Sequence, residues 1–345
     1  MPEEVKKSKK PRDLAFTQQK LPAWQPILSP PWVIMCFVVI TIVFIPIGVA
    51  ILVTTQNVQE YRERYDQDCT LDYTPSNLPG RGPYCESVTS ITVTKRMEPP
   101  IYMYYSLENF YQNHRRYTQS RSDSQLAGDN TITPTSANSD CYPIVFYGPD
   151  QANLTGLSTN ANMTYSPCGL IAWSMFNDTI SLYGPNNSLV CDGLRHSEVS
   201  NCTKKGIAWS SDVDIKFRPP KSPVFNRITP TEYYGEPGHL LPSVTDEDFI
   251  VWMRTAALPT FRKLYRIINV PLEAGTYSFK IQQRFNVSTF EGKKYVVITN
   301  NSWIGGRNMF LAIAYLVVGG LSFILACIFA IGAIIQKIRH KQTSA

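Results

Sequence analysis

Three groups of residues in this 345-residue chain have the types and spacing to do chemistry. The first is TDEDF, Thr245 to Phe249, whose Asp246, Glu247 and Asp248 could pair for acid–base work or bind calcium. It lacks the ligand spacing of a calcium-binding loop, and acids behind a threonine also suit a helix N-terminus, where they complement the dipole. The second is YQNHRRY, Tyr111 to Tyr117, followed by Arg121. Aromatics interleaved with His114, Arg115 and Arg116 resemble a surface that stacks bases and clamps phosphates. The third is a set of six cysteines, Cys69, Cys85, Cys141, Cys168, Cys191 and Cys202, able to pair as disulfides or to hold zinc. Neither C-x-x-C nor a matching His pair accompanies them, which argues against zinc. The chain contains no G-x-S-x-G, H-E-x-x-H, phosphate loop or dinucleotide fingerprint. Its motifs therefore nominate no catalytic residue, no metal ligand and no cofactor.

Which of these chemistries applies depends on the side of a membrane they occupy. Trp32–Val53 and Met309–Ile335 are uncharged apolar runs long enough to cross a bilayer as helices. The first starts too far into the chain for a typical cleaved signal peptide and is read as a retained anchor. The charge of +6 is carried at the ends: residues 1–31 hold six Lys or Arg against three acids, and residues 336–345 hold three with no acid. The stretch 54–308 carries 24 basic and 24 acidic residues. Basic flanks stay cytosolic. The expected order is thus a cytosolic tail (1–31), a span (32–53), a lumenal or extracellular ectodomain (54–308), a second span (309–335) and a cytosolic tail (336–345). An electrically neutral ectodomain outside the cytosol has no attraction for polyanions, so nucleic acid is excluded as a partner.

The six cysteines all fall in the ectodomain, whereas Cys36 and Cys327 lie in the spans. Six thiols allow about 15 pairings. Neighbour pairing, 69–85, 141–168 and 191–202, is the simplest because it closes short loops; a loop like the first contributes about 3 kcal/mol in the chain-entropy model. The sequon N-x-[ST] occurs at Asn153, Asn162, Asn177, Asn186, Asn201, Asn286 and Asn300, all in the same segment. Glycans are attached on the lumenal side, so this segregation agrees with the topology and makes N-linked glycans the expected modification. Asn300 lies close to the second span, and disulfide formation at Cys202 competes with modification of Asn201.

The elements that must carry these groups are mostly strands. Ser90–Met97, Thr276–Val287 and Lys293–Asn300 alternate or are rich in β-branched residues, with Glu291-Gly292 as the turn between the last two. Two helices are expected. One runs from Thr245 as N-cap to Leu258, stopping before Pro259. The other places Leu107, Phe110, Tyr111, His114 and Tyr117 on one face, with His114 as a hydrogen-bonded structural residue. The predicted fold is a membrane protein with two transmembrane α-helices and a large mainly-β ectodomain, an antiparallel β-sandwich with disulfide-pinned loop and helical insertions.

The spans contain no Asp, Glu, Lys or Arg, hence no ion or proton relay. Ser322, Ala326 and Ala330, below Gly319-Gly320, form a small-residue strip that lets another helix approach, or reflect ordinary span composition. Before the first span, Phe16, Gln18, Gln19, Leu21, Trp24 and Pro26 belong to a proline-broken apolar stretch suited to lying along the cytosolic membrane face or along a partner. Trp32 is either part of that strip or an interfacial anchor.

FTQQKLPAWQPILSPPWV, the FIPIG of the first span, YYSLENFYQNHRRYTQSRSDSQLAG, CGLIAWSMFNDT and NNSWIGGRNMFLAIAYLVVGG resemble, in order and over nearly the whole chain, the cell division control protein 50 / ligand-effect modulator family. Its members are accessory β-subunits of type IV P-type ATPases, the phospholipid flippases. The resemblance implies a 1:1 heterodimer with an α-subunit that hydrolyses ATP and moves lipid to the cytosolic leaflet. The β-subunit would be non-catalytic, assisting folding, endoplasmic reticulum exit toward Golgi, endosome or plasma membrane, and the transport cycle. By alignment, Cys141 and Cys168 match a family disulfide and Asn177 a family glycosylation site. Cys191–Cys202 is expected from parity. The resemblance also gives YQNHRRY a structural and docking role. Arg115, Arg116 and Arg121 would pair with Asp123 and Asp129, contact the partner's lumenal loops, or simply be solvated. In SWIGGRN, Trp303 and Arg307 would border the second span, with Gly305-Gly306 turning the backbone into it. A stand-alone glycoprotein receptor or adhesion protein is the alternative function with the same topology.

Overall fold

The computed structural model describes residues 14–16, 18–21, 29–67, 84–129, 140–145, 164–165, 167–193, 201–219, 227–228 and 241–343. The chain forms two compact units, one of residues 1–53 with 309–345 and one of residues 54–308. In chain order the elements are α1 (Pro30–Gln56), β1 (Glu60–Arg64), β2 (Cys85–Val93), β3 (Ile101–Glu108), α2 (Arg115–Gln119), α3 (Asp123–Leu126), β4 (Thr164–Tyr165) and α4 (Leu170–Trp173). There follow β5 (Thr179–Tyr183), β6 (Leu189–Cys191), β7 (Cys202–Thr203), β8 (Arg227–Ile228), α5 (Glu247–Met253), β9 (Phe261–Ile268), β10 (Gly275–Gln283), β11 (Lys293–Asn300) and α6 (Met309–Thr343).

Two antiparallel sheets make the larger unit, ordered β1-β11-β3-β9-β7 and β2-β10-β5-β6, with a short parallel pair β4-β8. Period-2 patterning explains β10: Tyr277, Phe279 and Ile281 are buried on one face while the residues between them are partly exposed. In β11 the run Val296, Val297, Ile298 is buried throughout, so both faces of that strand are covered along this stretch. Phe176 stacks on Tyr105 of β3 with ring centroids 3.9 Å apart, and the Tyr265 hydroxyl of β9 accepts from the Ile180 amide of β5 at 3.2 Å. These contacts tie the two sheets through one hydrophobic core.

The expected helix from Leu107 to Tyr117 is not formed. Leu107 is a fully buried residue of β3, in register with Lys294 and Phe261. Asn109 turns the chain at φ 63°, and only Arg115–Gln119 is helical. Apolar spacing that mimics a helical stripe is overridden by pairing with β11 and β9. Phe110 instead sits at the centre of rings from Tyr117, Trp252, Phe261, Phe285 and Phe290, with centroids 5.5–6.3 Å away. Tyr111 and His114 are exposed, so neither lies on a face packed into the core. The second expected helix exists but is shorter. Asp246, not Thr245, is its N-cap, accepting from the Asp248 amide at 2.9 Å, and it ends at Met253.

In the smaller unit α1 and α6 are antiparallel: Phe37 stacks on Phe329, Phe44 meets Tyr315, and Gly48 faces Leu316. The start of α1 and the end of α6 therefore lie at the same end of the pair. Helical structure runs beyond the apolar cores, to Gln56 and to Thr343.

Candidate partner interface

Two of the sequence blocks that carry the family resemblance pack on each other. Cys141 and Cys168 are disulfide-bonded with Cα atoms 5.6 Å apart. Around them, the Ser120 hydroxyl donates to the Cys141 carbonyl at 3.1 Å and accepts from the Leu170 amide at 2.8 Å. The Gln125 side-chain oxygen accepts from the Cys168 amide at 2.8 Å, and Tyr117 shares a hydrogen bond with Ser174 at 2.8 Å. Gly169 is required here: its φ is +102°, and a Cβ would lie 2.1 Å from the Ser120 carbonyl oxygen. The indole of Trp252 donates to the Ile171 carbonyl at 2.7 Å, joining α5 to the same junction. Cys191 and Cys202 form a second disulfide, Cα atoms 5.4 Å apart. Cys69, and with it the 69–85 pairing, lies outside the described residues.

The acids of TDEDF are committed to holding the fold. Besides capping α5, Asp246 accepts from the Lys204 ammonium at 2.6 Å. Glu247 accepts from the amides of Gly206 and Ala208 at 2.8 and 3.0 Å. Asp248 takes both guanidinium nitrogens of Arg266, at 2.7 and 3.2 Å, a bidentate pair whose arginine is buried. The other end of α5 is closed by Lys263. Its ammonium donates to the carbonyls of Val251, Trp252 and Arg254 at 2.6–2.9 Å, satisfying the last turn of the helix. Burial, then the Arg254 charge, lower the Lys263 pKa to about 7. The three carbonyl acceptors match the three protons of the ammonium form.

A polar group that the sequence did not announce is Asp178, inside the Asn177 sequon. Its side chain is fully buried, and its Oδ2 accepts from the Lys294 ammonium at 2.6 Å and the Tyr65 hydroxyl at 3.0 Å. Its Oδ1 accepts from the amides of Arg284 and Phe285, both at 2.6 Å. The Tyr65 hydroxyl is pushed well above its ordinary value by desolvation and by the Asp178 charge. No local pattern reveals this site, because its donors are supplied from far along the chain.

The candidate contact residues fall into three groups. Phe16 and Leu21 are 76% and 58% exposed, and Gln18 and Gln19 are also exposed; Trp24 and Pro26 lie outside the described residues. Trp32 is exposed at the start of α1. On the ectodomain, Arg115 and Arg116 are exposed, while Arg121 pairs with Asp123 at 2.9 Å. Trp303, 82% exposed, projects from a turn closed by mutual amide–carbonyl bonds of Ser302 and Gly305 at 2.9 Å, and Arg307 is exposed beyond it. Gly305 has φ +106°, so the expected glycine turn is there. The third group is the small-residue strip of α6. Ser322 and Ala326 are buried, and the helix they receive is α1 of the same chain. A Cβ on Gly319 would lie 2.8 Å from Ile45 Cγ1, and the Thr41 hydroxyl donates to the Gly319 carbonyl at 3.4 Å. Ala330 is half-buried. The outward faces of both helices instead present Val39, Ile42, Val53, Phe310, Leu321, Ile328 and Ile334.

Of the sequons, Asn186 and Asn286 are exposed, and Asn177, Asn201 and Asn300 are half-buried. Asn153 and Asn162 lie outside the described residues. The Asn300 side-chain oxygen accepts from the Gln59 amide at 2.8 Å, tying that sequon to the chain before β1.

Two apolar helices and a disulfide-bonded antiparallel ectodomain define a membrane protein of the two-span class. Residues 51–339 match the model of the LEM3 (ligand-effect modulator 3) family / CDC50 family, and the chain belongs to that family. Among curated relatives it is 43% identical to ALA-interacting subunit 3 of Arabidopsis thaliana, covering 97% of this chain and 89% of that protein. It is 38% identical to cell cycle control protein 50A of Bos taurus, covering 97% and 90%. Identity to cell cycle control protein 50B of Homo sapiens is 36%, over 90% of each chain.

Proposed function

We propose that this chain is a non-catalytic accessory subunit of a type IV P-type ATPase lipid flippase, bound 1:1 to the α-subunit. The α-subunit hydrolyses ATP and moves phospholipid to the cytosolic leaflet. The accessory chain assists its folding, its exit from the endoplasmic reticulum toward Golgi, endosome or plasma membrane, and its transport cycle. The observation that carries this reading is 43% identity, over 97% of the chain, to a protein named as an interacting subunit. The site geometry is in accord with it: the acids of α5 are spent on Lys204, Arg266 and backbone amides. Both tails are cytosolic and the ectodomain lumenal and N-glycosylated; the basic tails and the antiparallel helices support that arrangement. Partner contact is assigned to the exposed residues Phe16, Leu21, Trp32, Arg115, Arg116, Trp303 and Arg307 and to the outward faces of the helices.

The test is to tag the C-terminus, solubilise in mild detergent and isolate the complex. A co-purifying P-type ATPase at near-equal stoichiometry, whose aspartyl phosphorylation disappears when this chain is depleted, is the expected result. A partnerless chain on the cell surface would overturn the proposal and favour a stand-alone glycoprotein receptor.

A further inference from the structure

The sequons of this chain are alike in sequence but not in access once the ectodomain has folded. In Asn186-Asn187-Ser188 all three residues are exposed on the turn between β5 and β6. In the Asn286 sequon, Asn286 and Ser288 are exposed, and the Asn286 oxygen accepts from the Ser288 amide and hydroxyl at 2.9 and 2.7 Å. The Asn177 sequon is closed. The Asn177 side-chain oxygen is buried and has no hydrogen-bond partner among the described residues. Asp178 is sealed by Lys294, Tyr65 and two amides. Thr179 is 6% exposed, lies in β5 opposite Gln282 of β10, and its hydroxyl accepts from Arg284 at 3.4 Å. A transferase must reach that hydroxyl, because the hydroxyl at the second position after asparagine defines the motif.

We infer that Asn177 is modified only before the ectodomain closes, and that the Asp178–Lys294 pair is the latch that ends its availability. The two amides that seal Asp178 begin 106 residues after it, and Lys294 comes 116 residues after it. Among the described residues, the downstream partners of Asp178 come only after β10, and its cation only with β11. At about 5–20 residues per second this leaves a window of roughly 5–20 s. In the transfer step the Asn177 amide nitrogen attacks the anomeric carbon of a lipid-diphosphate-linked oligosaccharide. The new C–N bond replaces the sugar–phosphate bond, the lipid diphosphate leaves, and the amide proton passes to solvent. An exposed sequon can undergo this step before or after folding. Asn177 can do so only while residues 284–294 have not yet docked. Its glycan then records that the chain was modified before its last strand closed the sandwich.

The test uses the full-length chain made while glycan-donor synthesis is inhibited, purified in detergent and shown to unfold cooperatively. It is presented, folded or denatured and reduced, to purified oligosaccharyltransferase with lipid-linked donor. Occupancy at each sequon is read by glycopeptide mass spectrometry. The expected result is modification of Asn177, Asn186 and Asn286 in the denatured chain. In the folded chain Asn186 and Asn286 are still modified, while Asn177 reacts at least ~100-fold more slowly, because access requires opening a buried ion pair. Lys294→Met, or Tyr65→Phe if the first variant does not fold, raises the Asn177 rate in the folded chain and leaves the Asn286 rate unchanged. Equal Asn177 rates in folded and denatured chains would overturn the inference. Closure of all three sequons on folding would also overturn it, since the block would then belong to the ectodomain at large and not to the latch.

Discussion

Where α1 meets α6 the side chains shrink, to Gly48, Gly319, Ser322 and Ala326; where the sheets and α5 meet, charged side chains go inside, as Lys294, Asp178, Lys263 and Arg266. The solvents explain the contrast. In hydrocarbon there is no reward for hiding one apolar surface from another, so helices associate through close packing that small residues permit. In water the apolar core supplies the drive, about 1.5–3 kcal/mol for each large side chain fully buried. That leaves margin to bury ions whose lone pairs and protons are mostly met. Asp178 meets four donors and Lys263 three acceptors. Such groups are weak sources of stability when intact but severe liabilities when one partner is lost.

The largest effect expected is therefore from Lys294→Met, which leaves the Asp178 carboxylate buried without its cation. A loss of about 3–5 kcal/mol is expected in chemical denaturation, and a change below 1 kcal/mol would show that Tyr65 and the two amides suffice. The corresponding break in the helix pair is Gly319→Leu. A side chain there must displace Ile45, whose Cγ1 a Cβ would meet at 2.8 Å and whose backbone nitrogen at 3.3 Å. Overpacking of this kind costs roughly 1–3 kcal/mol. It should abolish cross-linking between cysteines placed at Phe37 and Phe329 while leaving the ectodomain melting temperature unaltered. Movement of both readouts would mean the two units are not energetically separate.

A smaller effect is expected for Asp246→Ala, which removes the cap of α5 and the Lys204 pair, both partly exposed. About 1 kcal/mol should be lost, and Asp246→Asn, which keeps the cap, should recover most of it. The smallest effect appears only in alkali. Burial first, and then the Asp178 charge, hold the Tyr65 hydroxyl well above the ordinary tyrosine value. Desolvation likewise raises Tyr105 and Tyr265. The folded state then keeps protons that the unfolded state releases. This stabilising contribution is fully present below about pH 10 and is lost as pH rises through the folded values. Urea titrations at pH 9, 10 and 11 should show stability falling only above pH 10, and Tyr65→Phe should make the fall shallower. An unchanged slope in the variant would remove Tyr65 from the account.

Legibility followed the range of the interaction. Lys293–Asn300 could be read as a strand because its β-branched side chains report locally on a pleated, buried environment. The misreading of Leu107–Tyr117 shows the limit of such reports. Leu107, Phe110 and Tyr117 have helical spacing, yet Leu107 is held by β11 and β9, while Phe110 is held by rings from α5 and the chain around β10 and β11. Thr245 and Asp246 are both good caps by type; Asp246 makes the cap through one oxygen and accepts from Lys204 through the other. Among the contact candidates, exposure of Phe16, Trp303 and Arg116 agrees with a surface role. Ser322 and Ala326 were legible as a helix-packing strip but not as a strip for α1.

By itself the sequence determined the two apolar spans, the neutral segment between basic tails, the cysteines available for pairing and the alternating strands. Each depends on composition or on neighbours within a few residues, which a linear chain displays directly. Only the tertiary structure decided that the small-residue strip of α6 packs on α1, that YTQSRSDSQ packs on CGLIAW beside the Cys141–Cys168 disulfide, and that Asp178 inside a glycosylation motif is a buried anchor. A carboxylate is an exposed, ordinary residue until a cation is brought to 2.6 Å from it. The cation that does so lies 116 residues away, a distance over which only folding, not spacing, carries information.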